Sequence, residues 1–567
     1  MNLSETFCTN VDQQLTRWLG AIPVLMPILK RLNVVSIINR YVKTEADVDN
    51  GTVALILALN RLLVPKPLYK VADWMATTVL EETLSIPAEK LHDRRIGDLL
   101  DLIYPHIDEI WQEIVIGAIT EFGISIDFIH YDITSIYFEG EYQYADKIEY
   151  GYSRDKRPDC KQVNLQLNVT SDDAIPLAYK VISGSTADKT TPLENMRALA
   201  GLLRTPTDKT ATVSAATEVT CIDTADDNLI IVSDQAMLCP QVIVTYHQKG
   251  IGYLGPLPSH KAYESVLMSV ETCELMKYPL NYRGVNHDEN EPPVYYGLPK
   301  QVTISVEKTG QSVTANALLL YSCNKAKLDR EKRGTLVDRY LSRLSEIKSY
   351  LNCRRYKKAS YASDQIKKAE SKYQAVKSLV VVKLTSEDGE LKLHIEIDDA
   401  QVTQAAHRDG RYLLVTNKPL SPEQILTRFK QQDKVEKRIS TLKGPIRIRP
   451  IFLHNQKRIE SLVFICMIAL LAFSLLEMMA KRVGKKMTAQ RIIEQFATLT
   501  AVYTDFVDGS QACTVVRLTE FQRLFLKTHL LPKPDTYLRP QIQYIFQFNF
   551  RHLIFQPLNP LGKRARE

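Results

Sequence analysis

Ser461 to Leu476 is a run of sixteen residues without a charge, SLVFICMIALLAFSLL. Such a run must be removed from water, and this restricts the fold of everything around it. Wound as a helix it spans roughly 24 Å, short of the about 30 Å of a bilayer's hydrocarbon core. Glu460 and Glu477 bracket it, with Arg458 and Lys481 close by. The run therefore predicts a helix buried in a protein core rather than a membrane anchor. Composition agrees: 45% hydrophobic and 24% charged residues are ordinary for a globular chain. They exclude a disordered chain, a collagen-like fibre and a multi-span membrane protein. The 567 residues are enough for about two to four domains.

Nine cysteines occur singly, with no CxxC pair. A zinc ribbon or a disulfide framework is not expected, and reduced thiols in a cytosolic protein are. Met1 to Thr16 lacks a basic stretch followed by an apolar run, so no signal peptide is expected.

Residues 1–120 read as a helical domain, either purely structural or DNA-binding. Its clearest helix is VALILALNRLL (Val53 to Leu63), ended by Pro65 and Pro67. A second is expected over Ile107 to Ile119. The texture changes near residue 124. ISIDFIHYDIT is β-rich, and QVNLQLNVT (Gln162 to Thr170) alternates, which predicts a half-buried strand with Asn164, Gln166 and Asn168 facing outward. IPLAYKVI (Ile175 to Ile182) returns as a third strand. Thr191, Pro192 and Glu194 open a helix. LIIVSD (Leu229 to Asp234) is a continuous apolar run of the kind found in central parallel strands. The expected order is β-β-β-α-β. Residues 255–400 read as an insertion with hairpins turning at Thr309-Gly310 and Asp388-Gly389. Between them a helical stripe runs Leu336, Tyr340, Leu344, Ile347, Leu351. YLLVTN (Tyr412 to Asn417) resumes the core, and the capping box Ser421-Pro422-Glu423-Gln424 opens a helix expected to run to about Lys443.

Three acids stand out by position: Asp132 in YDIT, Asp234 in VSDQ and Glu436 in KVEKRISTLK. Three carboxylates from separate elements repel one another unless cations neutralise them. Hard divalent ions take oxygen ligands, and a pair of them stabilises attacking and leaving oxygens at phosphorus. The alternative for each acid alone is an ordinary surface residue. Charge is unevenly spread. Arg428 to Arg458 holds ten Lys and Arg against two acids, and Lys325 to Lys372 holds fifteen against six. These windows carry +8 and +9 in a chain of net charge +7, so the remainder is net acidic. In the second window Tyr340, Tyr350, Tyr356 and Tyr361 are interleaved with the cations. Cations follow a phosphate backbone and aromatics stack on bases, although a solvated helical hairpin with a Tyr core gives the same pattern.

Taken together these residues resemble bacterial insertion-sequence transposases of the acidic-triad (DDE) type. The blocks that carry the resemblance are YDITSIYFEG, GYSRDKRPDCKQVNLQL, IIVSDQAM and DGRYLLVTN with the helix after it. The related signature Y-x2-R-x3-E-x6-K reads here Phe429-x2-Gln432-x3-Glu436-x6-Lys443, with Tyr and Arg replaced. The resemblance implies an α/β fold. An RNase H-like mixed-sheet core (121–254 and 401–480) is interrupted by a β-rich and helical insertion (255–400). A helical N-terminal domain (1–120) and a C-terminal helical, basic region (481–567) flank it. It implies Asp132, Asp234 and Glu436 as catalytic metal ligands for Mg²⁺ or Mn²⁺, two ions in all. The DNA-contact candidates are Lys443, Arg438, Arg428, Gln432, Arg154, Lys357 and Arg354. The implied partners are transposon inverted-repeat ends and target DNA, with a homo-oligomer in the DNA complex and no membrane, in the bacterial cytoplasm at the nucleoid. Relatives sometimes place a Trp in the insertion, but the three Trp here fall at 18, 74 and 111. Two other readings stay open: an RNase H-like nuclease without strand transfer, and an inactive DNA-binding relic.

Overall fold

A computed structural model describes residues 11–143, 145–187, 190–203, 229–258, 261–282, 293–387, 389–507 and 511–538. Asp388 of the second expected hairpin turn lies outside the described residues, as do residues 1–10 and 539–567 of the two terminal regions. The fold is mixed α/β and divides into two compact units. The first holds Met1–Ala187, Glu194–Ser214 and Asp433–Glu567, and the second Asp188–Leu193 and Ala215–Gln432.

The first unit is organised around the apolar run. It forms the middle of one helix, Gln456–Arg482, whose residues from Ser461 to Leu476 are all buried. The helix packs against Ile22–Arg31, Asn50–Leu63, Asp93–Ile103 and Ile107–Phe122 of the N-terminal segment. It also packs against strand Pro176–Ser183 and helices Asp433–Lys443 and Ala489–Phe496. By length and composition it could cross a membrane, but 94% of its apolar window is buried inside the protein. Two bent helix pairs, Ile22–Arg31 with Val34–Tyr41 and Asn50–Leu63 with Leu68–Ala76, meet the same test only if each pair is taken as one span. The flanking charges are used for docking. Arg458 grips Asp101 through two hydrogen bonds of 3.0 and 2.6 Å, and Lys147 binds Glu460 at 2.8 Å. Arg482 donates to the carbonyls of Phe122 and Gly123, which end a neighbouring helix. Capping is equally specific: Asp49 accepts from the Thr52 amide at 2.8 Å and starts helix Asn50–Leu63.

Two expectations for this unit are corrected. The N-terminal segment is not wholly helical. Strand Val11–Trp18 pairs antiparallel with Thr500–Phe506, which pairs in turn with Gln511–Val515, so the C-terminal region also carries strands. Second, strand Lys161–Thr170 is not half-buried. It lies between Phe128–Phe138 and Pro176–Ser183 in an antiparallel meander, and both its faces are covered. Asn164 and Asn168 are buried with partners, whereas Gln166 Nε2 is buried without one among the described residues. Asn168 and Asn195 exchange hydrogen bonds of 2.6 and 2.9 Å, and Asn164 accepts from Ser135 Oγ at 3.0 Å. Buried amides so paired cost little.

The second unit contains a mixed sheet. The short buried strand Ile230–Val232 runs parallel to Gly252–Pro256. Arg411–Thr416 lies antiparallel between Gly252–Pro256 and Ser312–Ser322, and Tyr295–Ser305 closes the order as the hairpin partner of Ser312–Ser322. That hairpin turns at Gly310 (φ 67°). The hairpin is hydrogen-bonded into the sheet through Ser312–Ser322. The residues that follow build their own core. Helices Cys323–Tyr350 and Ala359–Lys372 and the hairpin Val380–Glu387/Glu390–Ile397 enclose Tyr340, Leu344, Ile347, Ile366, Leu379 and Leu393.

The central helix predicts its own energetics. Phe464 is fully buried, so Phe464→Ala should destabilise the protein by about 3–5 kcal/mol. Urea denaturation followed by circular dichroism measures this, and a loss under ~1 kcal/mol would contradict the packing described.

Candidate functional site

Each of the three acids sits on a different element. Asp132 is the fifth residue of strand Phe128–Phe138, half-buried opposite Leu167, and its Oδ1 accepts from the Ile133 amide at 2.7 Å. Asp234 follows strand Ile230–Val232 and is half-buried. Its Oδ1 accepts from the amides of Ala236 and Met237 at 3.0 and 3.1 Å, which fixes the turn after the strand. Glu436 is exposed on helix Asp433–Lys443, and its carboxylate has no hydrogen bond or ion pair among the described residues. Asp132 and Glu436 belong to the first unit and Asp234 to the second. Among the described residues no group of three His, Cys, Asp or Glu is close enough to hold a metal ion. The donor set itself is all carboxylate oxygen, the chemistry that Mg²⁺ or Mn²⁺ selects.

The Glu436 helix packs on strands Phe128–Phe138 and Lys161–Thr170, burying Val435 and Leu442 completely. It does not continue the helix opened at Ser421, whose capping box forms as expected. The first helix ends at Lys430, where the Gln432 amide turns back to the Phe429 carbonyl three residues earlier. A new helix begins at Asp433, with Asp433 and Glu436 in its positive first turn. Phe429 and Gln432 therefore do not share one helix face with Glu436 and Lys443, as a continuous helix would require. Glu436 and Lys443, seven residues apart on one helix, do.

The cations divide into engaged and free groups. Lys443 Nζ binds Asp155 at 2.8 Å, and Arg449 binds the other oxygen of the same carboxylate at 2.9 Å. Burial holds the Lys443 ammonium below its ordinary pKa, partly offset by Asp155. Arg449 also stacks over Tyr137, 4.4 Å from the ring centre. Arg154 lies 3.5 Å from both Ser135 Oγ and Asn164 Oδ1. Arg438 is placed otherwise than expected. It is 5% exposed, donates to the Ala174 and Asp173 carbonyls and binds Glu477 at 2.6 Å. It is a staple between helix and meander, with no face for DNA. In the second unit Arg428 donates to Gln431 at 3.2 Å, whereas Arg354 and Lys357 are exposed without side-chain partners among the described residues. Tyr340 is core, but Tyr350, Tyr356 and Tyr361 form a ring cluster with centroids 5.7 and 5.0 Å apart beside those cations.

Asp155 and Arg449 were not singled out by sequence reasoning. Asp155 lies in the GYSRDKR block, but a pair joining residues almost three hundred positions apart leaves no local signal.

Residues 15–116 match a family model described as a domain of unknown function, DUF4277. No curated protein matches this chain at a significant level. Among solved structures, the chain is similar to a piggyBac transposase synaptic complex with hairpin DNA studied by cryo-electron microscopy. The identity is 8% and the TM-score 0.38, over 97% of this chain and 90% of that one.

Because Arg438 spans buried acceptors, Arg438→Ala should cost about 3–5 kcal/mol of stability. The salt dependence of DNA binding by the folded fraction should not change. A flattened salt slope at native stability would return Arg438 to the DNA surface.

Proposed function

We propose that this protein is a metal-dependent DNA transposase of the DDE type with an RNase H-like core, acting on the ends of a bacterial insertion sequence. One observation carries the reading. The Glu436 helix lies on the strand that bears Asp132 and turns outward an unpaired carboxylate with Lys443 on the same face. An acid in the first turn already suits the helix dipole; a shared metal would in addition give the carboxylate a partner, and a phosphate backbone would give one to cations nearby. Asp234, at the end of a buried parallel strand of the second unit, supplies the third carboxylate, and the reading requires all three to share the ions in the DNA complex.

When bound, one or two Mg²⁺ or Mn²⁺ ions supply charge that activates water and offsets negative charge developing at phosphorus. The side chains of Asp132, Asp234 and Glu436 would hold and orient them. Hydrolysis at the element's end frees a 3′-OH, which then attacks a phosphodiester of target DNA, so each bond broken is replaced by one formed. Lys443 and Arg449 together carry one positive charge more than the Asp155 carboxylate they share, and that surplus would face a backbone phosphate near Glu436; Arg354 and Lys357 would hold DNA from the second unit. Two ends cut and joined in concert call for at least two copies of the chain. The compartment that fits is the bacterial cytoplasm, at the nucleoid.

The test is purified protein with DNA bearing the sequences that flank its gene, with and without Mg²⁺. Metal-dependent cleavage followed by joining is expected. Hydrolysis without joining would favour a nuclease, and binding without cleavage an inactive relic. Asp132→Ala, Asp234→Ala and Glu436→Ala should each abolish cleavage while leaving binding largely intact, and full cleavage by any of them would overturn the triad. Lys443→Ala should flatten the salt slope of binding by roughly one phosphate's worth.

A further inference from the structure

The segment Glu149 to Arg157 is held at several points yet presents two bare aromatic rings. Glu149 and Gln162 exchange backbone hydrogen bonds of 3.1 and 2.8 Å, and the Glu149 carboxylate accepts from the hydroxyls of Ser183 and Ser185. Gly151 rests on Gly184 so closely that a Cβ would lie 1.9 Å from the Gly184 carbonyl oxygen. Gln162 Nε2 donates to the Tyr152 carbonyl at 3.0 Å and to the Gly184 carbonyl at 3.1 Å. Downstream, Ser153 Oγ accepts from the Arg157 amide at 3.1 Å, and Asp155 is clamped by Lys443 and Arg449. The backbone on both sides of Gly151 therefore has little freedom.

On this fixed backbone Tyr150 is 61% exposed and Tyr152 84% exposed. Neither ring contacts another ring and neither hydroxyl has a partner among the described residues. One exposed tyrosine needs no explanation. Two flanking a glycine that admits no side chain, on a segment fastened to the Asp132 sheet, are a different matter. Lys156, exposed and without an ion pair among the described residues, and Arg154 lie on the same segment. Rigid aromatic faces beside cations are what an unstacked nucleobase and its phosphate require.

We propose that Tyr150 and Tyr152 form a stacking platform for an unpaired base of DNA, with Lys156 and Arg154 beside its backbone. This rests on the reading of the protein as a DNA-processing enzyme and adds a preference to it: DNA frayed or single-stranded next to the site is bound in preference to blunt duplex. No covalent step is involved. The ring faces supply dispersion and quadrupole attraction to any base, so the preference is for unpaired structure and not for sequence.

The probe is a short duplex with a single-stranded overhang carrying 2-aminopurine, compared with the same duplex made blunt, each titrated with the full-length protein. Wild type should quench 2-aminopurine fluorescence and bind the overhang about tenfold more tightly than the blunt end. Tyr152→Ala, and Tyr150→Ala with it, should remove both the quenching and the preference while leaving the salt slope and blunt-duplex affinity unchanged. Tyr152→Phe should retain them, because the ring is kept. If wild type binds DNA with a normal salt slope but the alanine variants quench and discriminate as it does, the platform is wrong and the transposase reading stands. If wild type binds neither DNA, both fall.

Discussion

Burial of the helix Gln456–Arg482 is the interaction on which the first unit depends. Each large apolar side chain withdrawn from water contributes about 1.5–3 kcal/mol, and this helix buries an unbroken series of them. No single neighbouring face could cover it. The N-terminal helices cover part of the circumference, the edge strand Pro176–Ser183 another part, and the Glu436 helix and helix Ala489–Phe496 further parts. The polar residues at its two ends then set direction, through Arg458 with Asp101 and Glu477 with Arg438. The second of these reaches the proposed chemistry, because Arg438 is two residues from Glu436 and fixes the helix that carries it. A helix with no part in the proposed reaction thus determines where a proposed metal ligand stands.

Charge shows the same division of labour. The basic window around Glu436 suggested a surface made for phosphate, but much of that charge is spent inside the protein. Arg438 serves Glu477, Arg458 serves Asp101, Lys437 serves Asp433, and Lys443 and Arg449 share Asp155. In the second window Lys325 pairs with Asp329 and Arg333 with Asp409. Among the described residues Arg354 and Lys357 beside the tyrosine cluster, and Lys156 beside Tyr150 and Tyr152, are exposed without an ion pair. A count of charges locates a basic region, but only the pairing of each side chain separates staples from contact residues.

The legible parts of the fold were those with local causes. The apolar run, the alternating strands, the glycine turn at Gly310 and the Ser421 capping box each follow from a few adjacent residues. The illegible parts depend on distant partners. Strand Val11–Trp18 has six exposed residues in a row and so no apolar face to read, and its partner strand begins at Thr500. The amide face of Lys161–Thr170 resembled a wetted one, because a side chain such as Asn168 looks the same whether it meets water or Asn195. The break between Lys430 and Asp433 carries neither glycine nor proline, and it separates Phe429 and Gln432 from Glu436 despite helical spacing. For the candidate site, the strands that carry Asp132 and precede Asp234 could be read in the chain. Asp155 and Arg449 could not, because their role arises from a contact that only the fold creates.

Asp132, Asp234 and Glu436 are proposed to share divalent metal when DNA is bound. This can be tested by loading the DNA complex with Fe²⁺ in place of Mg²⁺ and adding ascorbate and peroxide, so that radicals formed at the metal cut the polypeptide nearby. Mapping the fragments by mass spectrometry should place cuts close to all three residues, each suppressed by excess Mg²⁺. Cuts confined to one of the three neighbourhoods, or insensitive to Mg²⁺, would contradict the account.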